Sequence, residues 1–146
     1  FFDATSRTLF ITGFQVEVGS VATPFENRSF GEELALCQRY YYAVTGTAKG
    51  RFATGQYFSA TQGDIPIPFK TTMRAAYSLT QSALSDILIT SATAERAASA
   101  LALDVSGSLH AASVRFTNGS STGAQGVPAI MILLDDESFI AFDAEI

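Results

Sequence analysis

The sequence predicts a mainly β protein with one short α-helix near its N-terminal end. After Tyr42, short apolar runs are separated by Gly, Pro, Ser, Asn and Asp, a texture typical of an antiparallel β-sandwich or barrel. Before Tyr42, an alternating segment is followed by a capping-box pattern and by apolar residues at helical spacing. These observations predict strand, linker and helix, followed by a β domain.

The first predicted element is a strand at residues 10–18. Phe14, Val16 and Val18 alternate with polar residues, so one face of the strand is apolar. Too little chain precedes this strand to supply the rest of a sheet, and we therefore expect the sequence to be part of a longer protein. Thr23 and Pro24 then indicate a linker, because proline disfavours helix in the residue before it.

A helix is predicted to begin at Ser29. Ser29 and Glu32 have the spacing of a capping box, in which each side chain bonds to the backbone amide of the other residue. Residues 29–43 form the predicted helix. Its apolar side packs either on the following sheet or on copies of itself around a symmetry axis, and it consists of Phe30, Leu34, Cys37 and Tyr41.

Seven strands are predicted in the remainder of the chain, at residues 51–59, 69–80, 87–90, 101–105, 111–117, 127–134 and 138–145. The run at 127–134 is apolar on both faces, which predicts a central strand or one that faces a neighbouring subunit. Asp135, Asp136 and Glu137 are expected to form the tip of a hairpin between the last two strands. Residues 91–100 are predicted to be a short helical turn or irregular loop, and residues 118–126 a flexible exposed loop.

The residues give little support to enzymatic chemistry. The net charge of −5 and the lack of a Lys/Arg cluster argue against a nucleic-acid partner. The single histidine, His110, has no nucleophile motif around it, and Cys37 is most simply a buried thiol. No phosphate-binding glycine motif and no zinc or calcium spacing occurs in the sequence. We therefore expect a binding protein that is not an enzyme and uses no cofactor or metal.

Aromatic residues provide the strongest indication of binding. Sugar rings stack on exposed aromatic faces, while amide, guanidinium and carboxylate groups bind their hydroxyls. Such residues concentrate in Tyr40–Tyr42 and again at 51–58. The three consecutive tyrosines have a simpler interpretation, which is packing at a helix–sheet or subunit interface with their hydroxyls at the rim.

The segment 11–41, ITGFQVEVGSVATPFENRSFGEELALCQRYY, resembles a pattern of bacteriophage tail fibre and related tail proteins. That pattern is ITG-x-Q-x-E-x-G-x-x-ATPFE-x-R-x-x-x-x-EL-x-x-CQRYY. Residues 69–76, FKTTMRAA, also resemble an F-x-x-x-MRAAP element of the same family, with Tyr77 in place of the proline. The closing residues AFDAEI are similar to an ADAEL-type end.

The resemblance implies a domain organisation and a homotrimer. Residues 1–28 would be the terminal strand and linker of an upstream domain, 29–43 the connecting helix, and 44–146 a C-terminal, jelly-roll-like antiparallel β-sandwich. The trimer interface is expected at Phe30, Leu34, Cys37 and Tyr41.

The resemblance also implies a role in host adsorption. The C-terminal domain would bind a host cell-surface polysaccharide or lipopolysaccharide without cleaving it, as part of the virion. The upstream region would contact other tail proteins, and no membrane insertion is expected. Two alternatives are a purely structural trimerisation and capping domain and an accessory module of a polysaccharide depolymerase. The resemblance carries over no ligand site, so the candidate ligand-binding residues rest on aromatic grouping and loop exposure: Tyr42, Arg51, Gln56, Tyr57 and Asn118.

Overall fold

The computed structural model describes residues 14–92, 94–104, 107–121 and 123–145. In these ranges one α-helix, α1 (Phe30–Gln38), precedes nine strands, and a short 3-10 turn, Leu84–Asp86, leads into the fifth of them. The strands are β1 (Tyr41–Thr45), β2 (Gly50–Tyr57), β3 (Gln62–Pro68), β4 (Ser78–Gln81), β5 (Ile87–Thr90), β6 (Glu95–Leu103), β7 (Ala111–Asn118), β8 (Pro128–Leu133) and β9 (Phe139–Asp143).

The strands form two antiparallel sheets. Six strands close into a barrel in the order β2-β3-β7-β6-β5-β8, with β8 pairing back onto β2. The other three form a sheet in the order β1-β9-β4. The prediction of a mainly β, antiparallel fold with one helix is confirmed. The jelly-roll-like sandwich is not confirmed, because the larger sheet of the described chain closes on itself.

Alternation of small or apolar residues with polar ones builds the barrel wall. Along β7, Ala112, Val114 and Phe116 are buried, while the intervening side chains point outward. β8 lies between β2 and β5 and buries Ala129 and the run 131–133, which confirms the prediction of a central strand.

The predicted hairpin between the last two strands is wrong. β9 pairs with β1 and β4, whereas β8 belongs to the barrel. The turn between them carries the chain from one sheet to the other. Within it, the Asp135 carboxylate accepts hydrogen bonds from the backbone amides of Glu137 and Ser138 and from the Ser138 hydroxyl. These bonds fix a sharp change of direction in place of a two-stranded ribbon.

The helix begins as predicted but ends earlier. Ser29 and Glu32 form the complete capping box, while α1 ends at Gln38 and residues 41–45 become strand β1. The β-branched and aromatic side chains of that segment favour a strand, and pairing with β9 satisfies its backbone. None of the helical residues is buried.

Four further segments differ from the predictions, two of them predicted strands. Only the end of the predicted strand 69–80 is strand, as the start of β4 (Ser78–Gln81). Earlier in the segment, the backbone amides of Phe69 and Met73 donate hydrogen bonds to the loop carbonyls of His110 and Leu109. Residues 62–68 form β3, although they were assigned to no strand. Residues 95–100 belong to β6, where a short helical turn or loop was expected. Residues 14–18 pair with no strand in the described chain, and residues 10–13 of that prediction lie outside it.

Candidate functional site

The candidate site begins with a row of polar side chains on the outer wall of the barrel. Gln56 on β2 is paired with Asp64 on β3, and Asp64 is paired with Arg115 on β7. Their chain neighbours Tyr57 and Phe116 are buried. Because side chains alternate across a strand, Gln56, Asp64 and Arg115 share the outer face and lie side by side.

Arg115 is held between two carboxylates. Its Nε donates a hydrogen bond to Asp64 Oδ1 at 3.2 Å, and its Nη2 donates to Asp104 Oδ2 at 2.7 Å. Asp104 follows β6, and its backbone amide bonds to the Ser113 carbonyl, which anchors it beside β7. The hydrogen bond to Asp64, together with the charges of both carboxylates, raises the pKa of Arg115 above its ordinary value. The guanidinium therefore stays charged and is fixed in position.

An exposed aromatic ring lies next to this row. Phe58 follows β2, its side chain is 38% exposed, and the Arg115 guanidinium carbon lies 5.1 Å from its ring centroid. A depression of about 460 Å³ opens beside the ring. It is lined by Gly55, Gln56, Phe58, Asp64, Pro66 and Ser113.

A second depression, of about 380 Å³, meets the first at Pro66. Its lining is mainly apolar and comprises Tyr42, Val44, Phe52, Ala53, Thr54, Pro66, Ile67 and Pro68. Tyr42 is fixed there by an edge-to-face contact with Phe69, whose ring centroid is 5.5 Å away. The two depressions together are called the β2–β3 groove below.

The two prolines explain why a groove forms between two strands of a closed barrel. The Phe58 amide donates a hydrogen bond to the Gln62 carbonyl, so the backbone groups of Gln62 point toward β2. Because successive residues of a strand point their backbone groups to opposite neighbours, those of residues 64, 66 and 68 point toward β2 as well. Pro66 and Pro68 fall in this series and have no N–H group to donate. The two strands pair at Gln56 and Tyr57, and no ladder pair joins them along the earlier residues of β2.

The predicted ligand residues do not form one surface. Tyr42 and Gln56 line the β2–β3 groove, whereas Arg51 is exposed on β2 outside both linings. Tyr57 and Asn118 are 1% and 2% exposed. The Asn118 side-chain amide donates to the Tyr57 hydroxyl at 2.7 Å, and the Tyr57 ring packs edge-to-face on Phe116. These two side chains belong to the core, so the prediction that they face a ligand must be corrected.

The loop that contains Asn118 is also attached to the barrel. The Gly123 amide bonds to the Ala60 carbonyl, and the Gly126 amide bonds to the Tyr57 carbonyl. The described part of 118–126 is thus tied to the end of β2, which its glycine-rich sequence did not predict.

Arg115 is a functional candidate that the sequence did not predict, and Asp64 was expected only as part of an exposed loop around residues 60–64. A strand is predicted at 111–117, and the alternation that the structure shows there places Arg115 on the outer face together with Ser113. The pairing of Arg115 with Asp64 could not be predicted, because no strand was predicted at β3.

The predicted trimer-interface residues are exposed in the single chain. Phe30 is 83% exposed, Leu34 and Tyr41 are also exposed, and Cys37 is an exposed free thiol, so the prediction that it is buried is wrong for the isolated chain. Next to this face, the Arg74 guanidinium carbon lies over the Tyr40 ring, 5.2 Å from its centroid.

The described residues offer few other elements of site chemistry. Among them, no three His, Cys, Asp or Glu side chains cluster in a way that could hold a metal ion. The exposed His110 ring contacts the Thr72 hydroxyl at 3.1 Å. Within the same described ranges, no helix is long and apolar enough to cross a membrane.

Comparisons with known proteins found no matching family model, no matching curated protein and no matching solved structure.

Proposed function

We propose that this chain is the distal part of a bacteriophage tail fibre and that its β2–β3 groove binds a host cell-surface glycan during adsorption, without catalysis. The observation that carries the proposal is the exposed Phe58 ring beside the ordered row of Gln56, Asp64 and Arg115. The tail fibre assignment is supported by the resemblance of residues 11–41. It implies a place in the virion, with other tail proteins contacting the upstream region.

The groove has the chemistry that a sugar requires. A pyranose ring presents an apolar face, which can stack on Phe58, and a rim of hydroxyls, which can bond to amide and charged groups. The Asp64 carboxylate is oriented by its bond to Arg115, so its orientation need not be fixed again when a ligand binds. A surface aromatic ring without such polar neighbours would support only nonspecific contact.

The first experiment measures glycan binding by the intact chain and two groove variants. On a glycan array, Phe58→Ala and Gln56→Ala should each weaken binding by about tenfold or more, since a central contact is commonly worth that much. Leu109→Ala is a control, because Leu109 is a similarly exposed apolar residue outside the groove. Binding that survives both groove variants would contradict the proposed site.

The absence of catalysis is tested separately. Incubation of host polysaccharide with the chain should release no new reducing ends above those of a buffer control. Their appearance would favour the depolymerase alternative.

A structural function is the second candidate, favoured by the exposed helix face of Phe30, Leu34, Cys37 and Tyr41. If this face forms a trimer, Leu34→Asp should convert a trimeric mass to a monomeric one, because it places a charge in an apolar contact. Leu36→Asp is a matched control, since Leu36 is also exposed and lies on the opposite side of the same helix.

The two functions are compatible, and separate measurements distinguish them. Three weak glycan sites on one trimer would reinforce one another through multivalency. A trimer that adsorbs to host cells equally well with and without Phe58→Ala would leave only the structural function. A chain that remains monomeric and ignores host cells would contradict both.

A further inference from the structure

The β2–β3 groove carries a net negative charge. Its charged row contains the two carboxylates of Asp64 and Asp104 and one guanidinium, that of Arg115, which gives one net negative charge. Asp64 lines the first depression, no charged residue lines the second, and neither lining contains Lys, Arg or His. The one cation of this row, Arg115, is therefore already paired with two carboxylates before any ligand arrives.

This charge arrangement discriminates between classes of glycan. A carboxylate, sulfate or phosphate on a sugar that approached Arg115 would lie close to the carboxylates of Asp64 and Asp104, and the row as a whole would repel it. A sugar hydroxyl needs no such exchange, because it can donate a hydrogen bond to the Asp64 carboxylate while that carboxylate keeps its contact with Arg115. The second depression, with Tyr42 and Phe52, has no charged side chain in its lining that could pair with a charged ligand group.

We propose that the β2–β3 groove selects uncharged polysaccharides and rejects those bearing uronate, sialate, sulfate or phosphate groups. This inference rests on the proposed function and adds the class of ligand to it. The selectivity resides in the two carboxylates that pair with Arg115. We therefore expect the charge of a glycan to affect its affinity for the groove more than the identity of each hexose does.

The test uses the intact chain on an array of neutral and acidic glycans. The best-bound uncharged polysaccharide is then compared with a sample of itself in which primary hydroxyls have been oxidised to carboxylates. We expect oxidation to weaken binding by about tenfold or more, the effect of one close like-charge contact near a protein surface.

Variants of the carboxylates give the decisive comparison. Asp64→Asn together with Asp104→Asn changes the charge of the row from one negative to one positive while keeping side-chain shape. The oxidised polysaccharide should then bind at least as well as the uncharged one. Asp136→Asn is the control, because Asp136 is exposed in a turn outside both linings, and it should leave the discrimination unchanged. Circular dichroism verifies that each variant is folded.

The outcomes separate the inference from the function beneath it. If the unmodified chain prefers acidic glycans and loses them in Phe58→Ala, the selectivity is overturned while the proposed function stands. If the double Asn variant still rejects the oxidised polymer, the charge explanation is overturned. If no glycan binds, or if binding ignores Phe58→Ala, the proposed function fails and the inference fails with it.

Discussion

Two phenylalanines of the barrel should respond very differently to the same substitution. Phe116 is 0% exposed and packs edge-to-face against Tyr57 with ring centroids 4.9 Å apart, whereas Phe58 is partly exposed beside the groove. Burial of a phenylalanine contributes about 2–3 kcal/mol, and an edge-to-face contact adds about 1 kcal/mol. With the cavity left behind, Phe116→Ala should cost about 4 kcal/mol, and Phe58→Ala less than about 1 kcal/mol.

Urea unfolding followed by far-UV circular dichroism measures this difference. The chain has no tryptophan, so backbone signal is the practical probe. For an unfolding slope of about 2 kcal/mol per molar urea, Phe116→Ala should lower the midpoint by about 2 M. If that variant does not fold, Phe116→Leu should still show a loss of about 1 kcal/mol. Equal losses for Phe116→Ala and Phe58→Ala would refute the assignment of one ring to the core and the other to the binding surface.

Two further predictions concern a glycine in the barrel and a carboxylate in a turn. Gly55→Ala should destabilise the barrel by about 2 kcal/mol in urea unfolding, because a Cβ at this position would collide with the Asp64 carbonyl. Gly31→Ala is the control: no atom lies near a Cβ at this helical position, so the substitution should stabilise the chain by about 0.5 kcal/mol or more. The Ser138 hydroxyl lowers the pKa of Asp135, so the stabilisation it provides exists above the ordinary carboxyl pKa and is lost as pH falls through the lowered one. Asp135→Asn should therefore be less stable than the unchanged chain near neutral pH, and the gap between their urea midpoints should close as the pH falls through the lowered pKa of Asp135; a constant gap would contradict this.

Elements defined by local pattern were predictable from the sequence. β5 occupies the predicted residues 87–90, and β7 extends one residue beyond the predicted 111–117. Their period-two alternation is a property of the segment itself, since each side chain needs only to face the core or the solvent. The capping box at Ser29 is local in the same sense, because both of its hydrogen bonds join residues of one helical turn.

Strand pairing was not predictable in the same way. β9 is apolar and follows a turn after β8, which fits a hairpin as well as it fits the observed pairing with β1 and β4. The choice depends on β1, which lies almost a hundred residues earlier and whose first three residues fall within the predicted helix 29–43. Similarly, the tyrosine at 57 looked like a surface platform because its aromatic neighbours are dense, but its ring lies inside the barrel wall.

The most consequential error and the candidate site have the same physical origin. β3 was not predicted because Pro66 and Pro68 are incompatible with an ordinary central strand, which needs N–H donors toward both neighbours. In the barrel, β3 pairs fully with β7 and leaves its proline side toward β2 unpaired, and that gap is the groove. Residues with N–H groups in place of Pro66 and Pro68 would allow β3 to pair with β2 along its length, and this would be expected to close the second depression. The residues that break the strand pattern are therefore those that line the proposed binding surface, and departures from local sequence rules are expected where a protein has a functional site.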